Sequence, residues 1–562
     1  MNAKEFLKNF GHLADAPDGI SKLRQTILQL AVQGKLVEQD PNDKSAGIML
    51  QNFEANYSHE LHASDNNSVS LPDGWACCLL GEIQQFTNGH AFPSQKFQSS
   101  GVGVIRIGDI QDNEIKKEGM KYISQEYVDS LDPKFLIAPG ELVIAMSGAT
   151  TGKLGFNKTT EHFALNQRVG RISPKEGIDI DYVFYLLTTK IKENLSISAG
   201  SAIPNLSTAQ INAIKVPLPP LPEQKRIVAK VDELMALCDD LEAKQQERRA
   251  VHVRVNTAAL DSLSTAETDT DFDSAWSRVR SNFDLLYSVP ENVNALRQTI
   301  LQLAVQGKLV EQDPSDEPAS ELMKRIREKK ILLMKENSIP KPKETIPIQT
   351  DELPLIPASW QWVKFGDILL SIDSGWSPKC ETRPRESDEW GVLKISAVTW
   401  GRFDPGENKA LPKGVEPREH CEVKAGDFLM SRANTAELVA KSVVVKTTPK
   451  RLLMNDKLLR VSFPDEIFPT YINLVNNSKT SRFYYESVAS GTSVSMRNVS
   501  RGNVCNLPIT LPPLVEQQRI VAKVDELMAL CNDLETKLAQ QQGDAGRLTE
   551  AMVAAVLDGV AV

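Results

Sequence analysis

The 562-residue sequence contains no run approaching the ~20 consecutive apolar residues that a membrane helix needs. Its first residues, MNAKEFLKNFGHLADAP, lack the basic start, apolar centre and small-residue cleavage site of a secretory signal. No membrane partner is therefore expected, and a cytoplasmic location is. Cysteine is scarce: there are seven, an odd number, with no C-x-x-C pair. Adjacent Cys77 and Cys78 suit neither a disulfide nor a zinc site, so reduced and mostly buried thiols are predicted. Histidine is equally sparse. His59 and His62 make an H-x-x-H in a polar stretch with no third ligand nearby, and no metal site is assigned. The run Ser147 to Lys153, SGATTGK, resembles a phosphate loop, but Gly148 to Gly152 is one residue short. Leu154 also stands where Ser or Thr is required. There is no G-x-G-x-x-G fingerprint and no N/D-P-P-Y/F tetrapeptide of amino-methyltransferases. No catalytic residue is assigned, and these absences favour a binding protein over an enzyme.

The net charge of −9 excludes a uniformly basic surface, but local charge governs nucleic-acid binding more than the sum does. The region from about residue 353 to 510 is the more basic part, and acid gathers elsewhere, as in TAETDTDFD from Thr265 to Asp273.

An internal repeat dominates what is present. LRQTILQLAVQGKLVEQDP occurs unchanged at Leu23 to Pro41 and Leu296 to Pro314. Asn9, Phe10, Leu13 and Pro17 match Asn282, Phe283, Leu286 and Pro290 at the same spacing. LPPLPEQKRIVAKVDELMALCDDLEAK, Leu218 to Lys244, is nearly repeated at Leu511 to Lys537. The period is far longer than the 20–50 residues of a solenoid, so whole domains were duplicated and the segments between the repeats diverged.

Within the second motif, Ile227, Val231, Leu234, Cys238 and Leu241 recur at alternating spacings of four and three. So do Ile520, Val524, Leu527, Cys531, Leu534 and Leu538, with a weaker continuation through Ala545, Leu548, Met552 and Ala555. This is a coiled-coil seam. In the first copy it turns polar at Gln245, Arg248 and His252. The preceding Leu-Pro-Pro-Leu marks the helix start. The LRQTILQLAVQGKL copies read as amphipathic helices, with Gly34 and Gly307 as C-caps.

The two variable segments are faintly alike. LPDGWACCLLGEI pairs with IPASWQWVKFGDI, GVIRI with GVLKI, NQRVGRIS with NDKLLRVS and AGSAIPNLS with SGTSVSMRNVS. PGELVIAMSGAT pairs with AGDFLMSRANT after a one-residue slip. Short β-branched and aliphatic runs broken by turn residues predict strands, with one helix per segment near Tyr182 to Asn194 and Tyr471 to Ser487. The expected architecture is α+β: two α+β target-recognition domains separated by long antiparallel helical (coiled-coil) spacers in a pseudo-two-fold tandem repeat. The boundaries are an N-terminal helical piece at 1–70, a first recognition domain at 71–217, a central helical region with linker at 218–352, a second recognition domain at 353–510 and a C-terminal helical spacer at 511–562.

Two copies of L-P-P-L-x-E-Q-x-R-I-V-A-K-V-D-E-L and two of L-R-Q-x-I-L-x-L-A-V-x-G-K-L make the sequence resemble the specificity subunits of type I restriction–modification systems over nearly its whole length. The resemblance implies a non-catalytic reader of a bipartite double-stranded DNA site, with one recognition domain for each half. It also implies partners: two methylation subunits, with which the chain directs adenine-N6 methylation, and two restriction subunits for ATP-dependent cleavage. S-adenosylmethionine, ATP and Mg²⁺ would belong to those partners, leaving no cofactor in this chain. Ser, Thr, Asn, Gln, Lys and Arg are the side chains that contact phosphates and base edges. On that basis the candidate readers in the first domain are Arg106, Ser147, Thr151, Lys153, Asn166, Gln167, Arg168 and Asn205. In the second they are Lys394, Ser431, Arg432, Asn434, Asn455, Lys457, Ser493 and Arg497. The competing expectation is a helical interaction scaffold that binds no DNA. The second half departs from the first by a basic helix near Glu321 to Glu336 and the proline-rich IPKPKETIPIQ.

Overall fold

The computed structural model describes residues 10–558, apart from 57, 59, 63–67, 112, 198–204, 337, 340–347, 349–352, 400 and 494–495. His59 and most of the proline-rich segment lie outside the described residues. The chain forms two compact units, one of residues 1–248 with 540–562, the other of residues 249–539. Each is α+β, with mostly antiparallel sheets beside a helical layer.

The repeated motifs form four helices: α1 (Gly19–Val32), α2 (Leu221–Thr265), α3 (Pro290–Gln306) and α4 (Leu514–Asp558). Both α2 and α4 are 45 residues long. The first unit holds the beginning of α2 and the end of α4, and the second holds the rest of each. Seam residues Ile227, Val231, Leu234 and Cys238 are buried in one core with Leu23, Ile27 and Leu30 of α1, and Leu241 packs at its edge. Ile520, Val524, Cys531 and Leu538 share the second unit's core with Ile300 and Ala304 of α3, edged by Leu527 and Leu534. The polar continuation in α2 is occupied within its own unit: Gln245 Nε2 donates to Ala14 O at 2.8 Å and Arg248 pairs with Asp15 at 3.6 Å. Toward the end of α4 the expected seam holds in part. Leu548 is exposed and Thr549 buried in its stead, yet the expected Ala555 is buried beside Val556 and Met552 packs at the core's edge, so the stripe widens as a 3.6-residue helix departs from a 3.5-residue period.

The near-identity of the two L-P-P-L-x-E-Q-x-R motifs has a local cause. Gln224 Oε1 accepts from Asp179 N (2.8 Å) and Gln517 Oε1 from Phe468 N (3.0 Å), while their amide groups donate to Pro219 O and Pro512 O. Arg226 pairs with Asp43 and Arg519 with Asp316, at 2.8 and 2.7 Å. Glu516, buried at the helix start, accepts from Trp360 Nε1 (3.0 Å) and Gln312 Nε2 (2.7 Å). The Glu, Gln and Arg of each E-Q-x-R motif thus bolt the start of each long helix to its own unit.

In the first unit a six-stranded sheet is built around Leu142–Ala145, which pairs with Val169–Pro174 on one side and Leu154–Phe156 on the other. Asn113–Ile115 then adds in parallel beyond Leu154–Phe156. In the second unit Phe428–Ser431 lies between Leu458–Ser462 and Ser442–Val444, and Ser442–Val444 is the edge of that four-stranded sheet. The expected single helix in each domain is Ile180–Ile197 in the first. In the second it is two helices, Pro469–Asn477 and Lys479–Val488. The break falls at Ser478, which adopts an extended conformation and caps the second helix by accepting from Ser481 N. All seven cysteines are free thiols. Among the described residues no helix is long and apolar enough to cross a membrane, and no cluster of three or more potential ligands could hold a metal.

Candidate nucleic-acid interface

At one end of the first unit's sheet, five segments are tied together by main-chain bonds. Ala145 N–H donates to Lys153 O and Gly152 N–H returns to Ala145 O, both at 2.8 Å, which closes the loop 146–152. Gly148 and Gly152 sit at φ +82°, a conformation that favours glycine. Met146 N–H donates to Arg168 O (2.9 Å), Leu206 N–H to Met146 O (2.8 Å) and Gln167 N–H to His90 O (2.9 Å). Thr150 Oγ1 donates to Ile107 O at 3.0 Å. The loop, the 166–168 turn, Asn205, Ile107 and His90 therefore form one surface.

The candidate side chains fall into two groups. Lys153, Gln167, Arg168 and Asn205 are exposed, and Lys153 and Arg168 have no ion-pair partner among the described residues. The others are held internally. Arg106, half-buried, spans Asp109 (Nε 3.2 Å, Nη2 3.1 Å) and Gly119 O (2.8 Å), which makes it a brace. Thr151 Oγ1 donates to Gly148 O, Asn166 Oδ1 accepts from Arg168 N, and Ser147 Oγ is buried without a partner among the described residues.

The second unit repeats the constellation. Ser431 N–H donates to Lys441 O (2.9 Å) and Ala440 N–H to Ser431 O (2.8 Å). Arg432 N–H donates to Lys457 O (2.8 Å) and Val499 N–H to Arg432 O (3.0 Å). Ser431 is thus the counterpart of Ala145, Arg432 of Met146 and Lys441 of Lys153. The slip inserted between PGELVIAMSGAT and AGDFLMSRANT is corrected: the strands align without one. Ser431, chosen through that slip, is fully buried with its hydroxyl directed at Leu438 O, and so cannot reach a ligand. Lys441, which is not among the candidates, occupies the place of Lys153.

Arg432 and Lys457 reach solvent, and Arg432 has no ion-pair partner among the described residues. Lys457 lies 3.5 Å from Asp456, and Lys394 lies 3.5 Å from Glu407. Asn434 Nδ2 donates to Thr399 Oγ1 (3.2 Å), Asn455 Nδ2 to Leu393 O (2.7 Å) and Arg497 Nη1 to Gly491 O (2.9 Å). Ser493 lies in the strand Ser490–Ser493, but its side chain is outside the described residues.

Sequence reasoning also missed an aromatic neighbour in each unit. His90 bridges Asn166 and packs against Phe92 at 5.1 Å. Its counterpart Trp376 donates its N–H to Met454 O (2.9 Å) and carries the Arg418 guanidinium over its ring at 4.9 Å. The weakness of the GH/GW match, with no flanking identity, left these residues without a signal.

The type I restriction modification DNA specificity domain family matches residues 72–248 and again 357–541. Among curated proteins, the specificity subunit of the type I restriction enzyme EcoEI from Escherichia coli is 33% identical, spanning 96% of this chain and 94% of its own length. The EcoAI specificity subunit from Escherichia coli is 29% identical over the same shares. A solved structure of the HsdS subunit from Thermoanaerobacter tengcongensis covers 88% of this chain and 99% of that one, at 17% identity and a TM-score of 0.41. With the family matching both halves and a relative this close over nearly the full length, the chain belongs to the type I restriction–modification DNA specificity family.

Proposed function

We propose that this chain reads a bipartite duplex DNA site, each unit's loop surface contacting one half, and that its helices dock the methylation and restriction subunits. In that assembly it would direct adenine-N6 methylation or ATP-dependent cleavage. S-adenosylmethionine, ATP and Mg²⁺ would be held by those partners, two of each kind. The observation that carries this reading is the repeated backbone constellation: both units present the same loop scaffold with different side chains. Lys153, Gln167, Arg168 and Asn205 stand on one, and Arg432, Lys441 and Lys457 on the other. Conserved scaffold with divergent polar tips is what two readers of different half-sites require. Base-edge contacts by such groups discriminate by ~1–3 kcal/mol each, and phosphate contacts add salt-dependent affinity without sequence choice.

The test is substitution of one unit at a time in the complex with its methylation subunit. Arg168→Ala is expected to relax or abolish recognition of one half-site and Arg432→Ala of the other. Methylation with unchanged sequence preference and rate in both variants would remove these side chains from the reading surface. A complex that assembles but binds no duplex would instead support the scaffold reading.

A further inference from the structure

The second unit differs from the first beside the sheet strand that follows the reading loop. In the first unit Leu154–Phe156 is covered by Asn113–Ile115, whereas in the second Ser442–Val444 is the edge strand, with no further strand beside it among the described residues and with Ser442 N–H and C=O bonded to the Asn477 side chain. Both units have a cleft between this strand and the helical layer, about 660 Å³ in the first and about 720 Å³ in the second. Their charges differ. The first cleft is lined by Arg24, Lys158, Asp181 and Asp239, and its cations are spent: Arg24 on Asp239 (2.7 Å) and Glu242 (2.8 Å), Lys158 on Glu114 (3.7 Å). The second is lined by Arg402, Lys441 and Lys446, with Asp525 the single carboxylate among its lining residues. None of these three cations has an ion-pair partner among the described residues. Lys441 is half-buried, and burial together with the Arg482 guanidinium pulls its ammonium below the ordinary lysine range against the weaker opposing pull of Glu437. A partly desolvated cation without an ion-pair partner is costly unless a ligand supplies the anion. The cleft adjoins the loop surface, because Leu438 and Lys441 at the end of the loop line it.

We propose that this cleft is a nucleic-acid phosphate-backbone contact peculiar to the second unit, with Arg402, Lys441 and Lys446 gripping the backbone beside the bases that the loops read. The inference rests on the DNA-reading proposal. It makes the two readers unequal, the second contributing more of the sequence-independent affinity.

The experiment measures binding of the complete chain, assembled with its methylation subunit, to a duplex of random sequence across a salt series. Each phosphate contact contributes about 0.9 to the slope of log affinity against log salt. Arg402→Gln and Lys446→Gln should each lower that slope by about one with the methylated sequence unchanged, and adding Lys441→Met should bring the total fall to two to three. Lys158→Met, in the first unit's cleft, should leave the slope as it was. Arg402 and Lys446 are exposed, so the R402Q/K446Q pair carries the test even if Lys441→Met unsettles the sheet. An unchanged slope overturns the proposal. If subunit assembly weakens while the slope holds, the cleft binds an acidic protein segment instead. A parent complex without salt-dependent DNA binding would sink the DNA-reading proposal itself, and the cleft with it.

Discussion

Gly307 ends α3 at φ +74°, and a Cβ built there would come within 2.5 Å of Pro357 Cγ. Gly34 ends α1 at φ +68°, with Pro72 Cγ equally close. Left-handed backbone and close approach act together, so Gly307→Ala should lower stability by at least about 1 kcal/mol, measured by denaturant titration. Glu516 offers a second test at this scale. Burial raises its carboxyl above the ordinary glutamate range, while hydrogen bonds from Trp360 and Gln312 pull the other way, and Glu223 is raised for the same leading reason. A carboxyl raised in the folded state binds more protons folded than unfolded in the interval between the two values. Its contribution is therefore present below the unfolded value and lost as pH rises through the folded one. Stability should fall as pH climbs from the ordinary value of 4.5 toward neutral, and the E223Q/E516Q variant should flatten that part of the thermal-melting profile. The sequence marked polar loop residues, and of these Lys153, Arg168 and Arg432 reach solvent. Their engagement was not. Arg106 looks like a reader until Asp109 is seen closing on it, and Ser431 until strand pairing shows it inside the sheet.

At the scale of elements, each long helix serves two cores. Ile227 and Val231 of α2 are buried in the first unit, while Leu260 and Leu263 of the same helix are buried in the second with Val279 and Tyr287. The end of α4 likewise delivers Val556 to the first unit's core. A repeated lysine marks both arrivals. Lys308 Nζ donates to Ala266 O (2.6 Å) at the end of α2, and Lys35 Nζ donates to Leu557 O near the end of α4. A cation at a helix C-terminus satisfies free carbonyls and complements the dipole. Leu263→Ala should cost about 2–5 kcal/mol, with hydrogen exchange accelerating in residues 249–539 before the first unit responds. Uniform acceleration across both units would show that the helix transmits the damage instead of confining it. The seams were legible because burial on one helical stripe imposes the 4-3 spacing. Their packing against α1 and α3 was not, since periodicity identifies a buried stripe without naming what covers it. The split at Ser478 escaped for a related reason: a single extended residue leaves the apolar pattern on either side intact.

For the whole molecule, the duplication carries the argument. Identical spacers and divergent sheet domains imply one construction plan used twice, and the two units do repeat the same loop ties, helix bolts and lysine caps. What the duplication hid is the difference between the copies. The extra strand that covers the sheet edge in the first unit alone comes from residues with no strong strand pattern, Asn113–Ile115. The identities of the recognised bases depend on hydrogen-bond geometry at the loop tips, which neither composition nor spacing encodes.

The central claim is that two unlike readers stand on one scaffold. Its most direct test is single-molecule mapping of N6-methyladenine in DNA from cells expressing this chain with its methylation subunit. The account predicts one split motif, two short and different half-sites around a gap of fixed length. A contiguous motif, or no motif from a complex shown to be assembled, would contradict it.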